Sequence, residues 1–485
     1  MNSAIRRVGI GITVLMLLLV GQLSYLQVYE AHRLSNDPRN FRALIRDFVR
    51  PRGEIVTADG QIVARSIKTN DELTFQRQYP LGPLFAQIAG VQSFVFGNTG
   101  IERTYNNELA GRDPALQLHN LPDILAGREN TGNVVLSIRA SLQQAAAQEL
   151  GDSPGSIIVM DPRTGAILAM YSHPSFDPGP LAGHDTKDVQ QYGQALGANP
   201  DKPDLPRAYR ERYPPGSTFK VVTAAVALDA GLVTPDTEFP VRSSLALPQT
   251  TGTLMSFGGE PCGGTLANSL TVSCNPTFGD VGLQLGDQFV PGMQRFGIDS
   301  APPLDIAPGA APSAGPSAGS FQHNKPLFAF AGIGQGDVAV TPLQMALVAC
   351  AVANNGVIMQ PHGVDKITDT AGHTIKTTAP KPWRTATSPQ TAAALKQMMI
   401  SVVQAGTGTL AQADIPGVTV AGKTGTAQNP TGFAHAWFIA LAPADNPQVV
   451  VAVLVEHGGS TNSETTGGRL AAPIAAHMIA HALTK

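Results

Sequence analysis

The placement of the most strand-like segments constrains the fold more than any other feature. "GSIIVMDPRTGAILAMYS", residues 155–172, puts two apolar runs around Asp161-Pro162-Arg163-Thr164-Gly165, the pattern of a β-hairpin. The next comparable runs come only at "VTVAGKT" (418–424), "AHAWFIALAP" (434–443) and "PQVVVAVLVEH" (447–457), the last two joined by a turn at Asp445-Asn446-Pro447. A helical pattern, "SIRASLQQAAAQEL" (137–150), precedes the hairpin, and Ser141 and Gln144 in it are spaced as a capping box. Another, "AAPIAAHMIAHAL" (471–483), follows the last strand. The residues between mix helices, such as "STFKVVTAAVALDAG" and "TPLQMALVACAVANNG", with loops, including the Pro/Ala/Gly/Ser-rich stretch 301–320. Strands from both ends of this long stretch must meet to bury their apolar runs. The expected fold of residues 136–485 is therefore α+β, one antiparallel sheet flanked by helices with an all-α lobe alongside.

The N-terminus sets the topology. Arg6 and Arg7 precede an apolar run from Val8 to Val20, extended by Leu23, Leu26 and Val28. About 20 such residues make a helix that crosses a bilayer. Basic residues on the short side place that end in the cytoplasm. The segment that follows lacks the small-x-small cleavage site of a secretory signal. Residues 1–30 are thus expected to be a cytoplasmic tip and single-pass plasma-membrane anchor, with the rest extracytoplasmic. Residues 31–135 read as a small β-rich pedestal, opened by "RGEIVTADGQIVA", whose two short runs flank Asp59-Gly60 as in a hairpin.

Of 485 residues 43% are hydrophobic, enough for a substantial core, and the net charge is −3 with Lys and Arg dispersed. That excludes the basic stripe of a nucleic-acid binder. The three cysteines, Cys262, Cys274 and Cys350, form no CxxC pair, so no cysteine-based metal site is expected. Cys350 lies in the apolar run "ALVACAVA" and reads as a buried thiol. Cys262 and Cys274 either pair in an oxidising compartment or stand as two partly buried thiols.

"GVTVAGKTGTA", residues 417–427, satisfies two incompatible patterns. As G-x-x-x-x-G-K-T it is a phosphate-binding loop, which needs a buried strand before it and a helix after it. The preceding "AQADIP" is polar and holds proline, and the following "TGTAQNPTGF" breaks a helix. A strand at Val418-Thr419-Val420 lies where the loop should turn. "GPSAG" (315–319) matches a nucleophile elbow but sits in a loop without the required strand and helix. His477 and His481 lack the glutamate and third ligand of a zinc helix.

As K-T-G the segment has company. "PPGSTFK" holds Ser217 and Lys220, an S-x-x-K, and "VSCN" holds Ser273 and Asn275, an S-x-N. This ordered set marks serine enzymes that attack amides. Residues at i and i+3 share a helix face, so the Lys220 amine reaches the Ser217 hydroxyl. A serine hydroxyl needs a neighbouring base, and a buried lysine serves once desolvation and a second cation, Lys423, lower its pKa. Ser217 at a helix N-terminus offers its backbone N–H to an oxyanion, with the Thr426 N–H as a second donor. Gly422 and Gly425 let a peptide approach the strand, and the Thr424 and Thr426 hydroxyls suit a carboxylate.

With these motifs the chain resembles the class B penicillin-binding proteins, most closely the actinobacterial PbpA type. The likeness extends to "GIERTYNNELAG", "IVMDPRTGAILAMYSHPSFDP", "GIGQGDVAVTPLQMA" and "AGKTGTAQ". The resemblance implies a penicillin-binding/serine β-lactamase-like domain and peptidoglycan D,D-transpeptidase activity without a cofactor. Ser217 would be acylated by a D-Ala-D-Ala stem peptide, Lys220 would be the base, and Ser273 and Lys423 would relay protons. Asn275 would hold the substrate amide, while Thr424, Gly425 and Thr426 would line the carboxylate site. It implies β-lactams as inhibitors, lipid II-derived glycan strands as the wider substrate, and SEDS-family glycosyltransferase and divisome or elongation proteins as partners. Cys274 fills the middle of S-x-N, and its side chain is expected to point away from substrate. A D,D-carboxypeptidase, a β-lactamase and a non-catalytic sensor or scaffold share the motifs and are the alternatives.

Overall fold

The computed structural model describes residues 2–26, 47–119, 131–412, 416–429, 432–461 and 465–484, together with Glu30 and Ile45. Seven helices matter for function: α1 (Asn2–Ser24), α2 (Ala140–Leu150), α3 (Lys220–Asp229), α4 (Asn275–Leu285), α5 (Pro342–Ala353), α6 (Pro389–Ala405) and α7 (Gly467–Leu483). The five strands that meet as expected are β1 (Gly155–Met160), β2 (Ile167–His173), β3 (Ala421–Asn429), β4 (Gly432–Ala442) and β5 (Val449–Val455).

They form one antiparallel sheet in the order β3-β4-β5-β1-β2. β5 is an unbroken run of Val, Ala and Leu, and every residue in it is buried. A strand covered on both faces reads this way, so it takes the centre. Alternate residues serve opposite faces: Ile157, Val159, Val451 and Val453 meet α2 and α7. Ile158, Met160, Ala452 and Leu454 join the larger core that includes α3 and α5. All twelve residues of α5 are buried, as expected of a helix apolar on every side. Each fully buried Val, Leu or Ile contributes about 1.5–3 kcal/mol, so the sheet forms a rigid floor for the site at its β3 edge.

Two details differ from the sequence expectation. The strand bearing K-T-G begins at Ala421, not Val418. Its pairing with β4 starts at Ala421↔Leu441, and soon after Leu441 comes Pro443, which has no N–H to extend the ladder. Thr419 is held instead by a bond from the Ala444 N–H, 2.8 Å. The capping box at Ser141 and Gln144 is absent. The cap position is Arg139, whose side chain bonds no helix N–H, and Ser141 lies inside the first turn. Asp59 supplies the cap from the hairpin turn, accepting from Ala140 N (2.8 Å) and Ser141 N (3.1 Å). Burial opposes the Asp59 charge, but bonds from Thr57 Oγ1 and these two N–H groups prevail and hold its pKa at about 2.

The N-terminal module is a six-stranded mixed sheet in the order Thr374–Thr377, Val364–Thr368, Asn133–Leu136, Ile55–Val56, Ile62–Lys68, Phe75–Gln78. Ile55–Val56 and Ile62–Lys68 form the hairpin around Asp59-Gly60. Two of the strands come from residues 364–377, deep in the second half of the chain. Tyr105 OH donates to Asp305 Oδ2 (3.0 Å), and Asp305 also accepts from Gly363 N (2.6 Å) and Val364 N (3.1 Å). Beneath the sheet, Glu102 is buried between Arg52 and Arg77, at 2.6 Å from each. At the N-terminus, Ile5–Ser24 is 20 residues, its most apolar 18-residue window has mean hydropathy 1.8, and none of that window is buried. At 1.5 Å per residue it spans about 30 Å, the thickness of a bilayer core.

Candidate active site

Ser217 lies in the short 3₁₀ turn Gly216–Phe219 that runs directly into α3, with Lys220 as the first residue of the helix. Thr218 Oγ1 ties this turn to Pro215 O at 2.8 Å. Gly216 has φ +53°, and a Cβ there would sit 2.8 Å from Thr426 O. Gly334 has φ +73°, and its Cβ would sit 2.2 Å from Gly216 O. The Gly216 N–H donates to Gly334 O (2.9 Å), and Tyr213 and Val340 exchange two backbone bonds of 2.9 Å. "GIGQGDVAV" is therefore the back wall of the Ser217 turn, and only glycine fits at both close approaches. Trp437 Nε1 donates to Pro214 O (3.1 Å), while Tyr213 OH and Arg207 Nε donate to Glu456 Oε1 at 2.6 and 2.9 Å.

Beside this turn two lysines converge on one hydroxyl. Lys220 Nζ donates to Ser273 O (2.6 Å), Asn275 Oδ1 (2.8 Å) and Ser273 Oγ (3.2 Å). Lys423 Nζ donates to Ser273 Oγ (2.9 Å), Thr424 O (3.0 Å) and Thr424 Oγ1 (3.4 Å). Both side chains are 0% exposed, and none of these partners is a carboxylate. Burial disfavours a charged ammonium. It pushes the Lys220 amine well below its usual range, and the Lys423 charge pushes it further down. Burial also lowers Lys423, to about 7.

The sequence spacing aimed Lys220 at Ser217. In the structure its three bonds go to Ser273 and Asn275 instead. A protonated amine has three donors and no acceptor, and these oxygens fill them. Only the deprotonated amine has a lone pair for the Ser217 proton.

Ser273 has φ +61°, a left-handed conformation that costs a non-glycine residue about 1–3 kcal/mol. It is held by Ser273 N to Leu270 O (3.2 Å), Cys274 N to Ser269 O (2.8 Å) and a Cys262–Cys274 disulfide with a Cα separation of 5.6 Å. Cys274 is buried and faces its partner rather than the cleft. Asn275 opens α4, and its Nδ2 donates to Met255 O (3.0 Å).

On β3, a Cβ at Gly425 would meet Pro215 O at 2.8 Å, so the strand presses against the Ser217 turn. Thr424 Oγ1 lies 2.6 Å from Thr407 Oγ1, and Thr426 Oγ1 accepts from Gly467 N (3.3 Å). The structure thus brings Lys220, Ser273, Asn275, Lys423 and Thr424 into one bonded cluster beside Ser217, with Thr426 on the next stretch of strand. Sequence reasoning missed Thr407, Tyr213, Trp437 and Glu456. The one available signal was Gly406-Thr407-Gly408, a threonine between two glycines at the end of α6. His477 lies outside the site, with Nδ1 2.9 Å from Glu149 Oε2.

A serine turn, a buried lysine pair on a shared hydroxyl and a K-T-G edge strand define a class, and the chain belongs to it. It is a member of the penicillin-binding protein transpeptidase family, whose domain matches residues 155–480. Residues 52–135 match the penicillin binding protein A dimerisation domain. The chain is similar to peptidoglycan D,D-transpeptidase PbpA of Mycolicibacterium smegmatis, 42% identical over 100% of this chain and 99% of the relative. With PbpA of Mycobacterium tuberculosis it shares 39% over the same proportions. Among solved structures it resembles penicillin-binding protein A from M. tuberculosis as its ceftriaxone acyl-enzyme, with TM-score 0.83 and 37% identity over 90% of this chain and 100% of that one. The penicillin G acyl-enzyme of the same protein aligns with TM-score 0.81 and 38% identity over the same proportions.

Proposed function

We propose that the chain is a serine D,D-transpeptidase that cross-links peptidoglycan stem peptides during wall assembly and is acylated by β-lactams at Ser217. The observation that carries this reading is the pair of buried, carboxylate-free lysines bonded to Ser273 Oγ beside Ser217. Burial supplies a lysine that is neutral when needed, and the second lysine supplies positive field.

Ser217 Oγ attacks the carbonyl carbon of the penultimate D-Ala, and its proton passes to neutral Lys220 Nζ. The oxyanion faces the N–H groups of Ser217 and Thr426, where each donor is worth roughly 10²–10³ in rate. Collapse breaks the C–N bond, and a proton relayed through Ser273 Oγ reaches the leaving amine, so D-Ala departs. The amine of a second stem then attacks the ester carbonyl, loses its proton along the same path, and restores Ser217. Lys423, Thr424 and Thr426 receive the terminal carboxylate of the donor, Gly425 lets it approach the strand, and Asn275 turns its amide to the substrate backbone.

Helix α1 would anchor the enzyme in the plasma membrane with Arg6 and Arg7 on the cytoplasmic side, leaving the catalytic domain outside. Anchor and N-terminal sheet would be the surfaces that meet a SEDS-family glycosyltransferase extending lipid II-derived strands. Incubation of the detergent-solubilised chain with a fluorescent penicillin tests the catalytic reading. One long-lived adduct is expected, absent in Ser217→Ala. No adduct would overturn acyl-enzyme chemistry, and rapid release of the label would make the chain a β-lactamase.

A further inference from the structure

Thr407 has no role in the chemistry above, yet it joins three parts of the site. It follows α6 at Gly406, where a Cβ would sit 2.3 Å from Thr271 O, and its own O would sit 2.2 Å from a Cβ at Gly468, in α7. Its N–H donates to Thr271 O (3.3 Å), two residues before Ser273. These approaches lock the backbone, while the side chain lies at the exposed mouth of the site with Oγ1 2.6 Å from Thr424 Oγ1.

A threonine hydroxyl has one hydrogen and two lone pairs. One lone pair of Thr424 Oγ1 faces Lys423 Nζ at 3.4 Å, and that ammonium only donates. If Thr407 donates as well, both lone pairs are filled and the single Thr424 hydrogen must point elsewhere, toward an incoming acceptor. If Thr424 donates to Thr407, its hydrogen is spent and the hydroxyl meets a carboxylate with lone pairs alone. We propose that Thr407 is a positioning residue for the acyl donor's carboxylate: it gives its O–H to Thr424 Oγ1 and so turns the Thr424 hydrogen outward. This rests on the reading of Thr424 as a carboxylate contact in a penicillin-acylated enzyme.

The test compares second-order acylation rates for benzylpenicillin and its methyl ester, which lacks the carboxylate, in the full chain. A hydrogen bond to a charged group sets the expected size. Thr407→Val should slow benzylpenicillin about tenfold and leave the ester within about twofold, whereas Thr407→Ser should restore the acid rate to within about threefold. Thr407→Ala repeats the measurement if the valine disturbs the loop. Equal loss with acid and ester, or no loss with either, overturns the proposal. A wild-type chain that forms no Ser217 adduct would instead remove the parent reading, so the two failures are distinguishable.

Discussion

At the residue scale the candidate site holds two buried lysines with no carboxylate partner among the described residues. On the proposed mechanism Lys220 must be neutral to take the Ser217 proton, and Lys423 must be charged to hold a carboxylate. Their lowered pKa values set opposite limbs of one profile. Lys220, pushed down by burial and by Lys423, loses its proton as pH rises, which raises the acylation rate. Lys423 loses its own near 7, which lowers it. Penicillin acylation measured from pH 5 to 10 should therefore be bell-shaped with a basic limb near 7. Lys423→Arg should lift that limb out of the range, because guanidinium stays protonated. An unchanged limb would dissociate Lys423 from it. Ser217, Lys220, Ser273, Asn275 and Lys423 could be named from the sequence as candidates because short motifs hold them. Their actual partners could not, because Lys220 meets Ser273 across 53 residues and Lys423 meets it across 150. Thr407 and Glu456 belong to no motif, and only the folded arrangement gives them partners.

At the element scale the strands were legible because apolar alternation and β5's unbroken run report burial directly. The cap of α2 was not, since the residue that fills it comes from another module. Asp59 closes its own hairpin and caps a helix that starts 81 residues later. Asp59→Ala should cost about 1–2 kcal/mol of stability while leaving the penicillin acylation rate within about twofold. The sign of its pH dependence follows from a folded-state pKa below the ordinary 3.8. The stabilisation is present above the unfolded value and lost as pH falls through about 2. The gap in thermal midpoint between wild type and variant should thus narrow from pH 5 to pH 2; a constant gap would refute the capping role.

At the scale of the whole molecule the two halves are interlocked. The helical middle separates the catalytic strands as the sequence implied, but the return of residues 364–377 to the N-terminal sheet left no mark there. "VDKIT" and "TIKT" are short; the first pairs with Asn133–Leu136, more than 200 residues earlier, and the second joins the sheet by pairing with the first. Interlocking predicts that heating unfolds both halves together, in one calorimetric transition that coincides with loss of penicillin binding. Asp305→Ala, which removes the acceptor shared by Tyr105, Gly363 and Val364, should lower that midpoint. Two separate transitions in the wild-type chain would show the halves to be independent.

The shared sheet also imposes an order in time. Synthesis runs from the N-terminus, so Asn133–Leu136 exists long before Val364–Thr368 is made to cover its flank. Through that interval the strand presents unpaired backbone groups, the kind of edge that recruits stray chains. Synthesis of the second half is thus a folding step for the first. A truncation anywhere before residue 364 leaves not a smaller domain but a sheet with an open side.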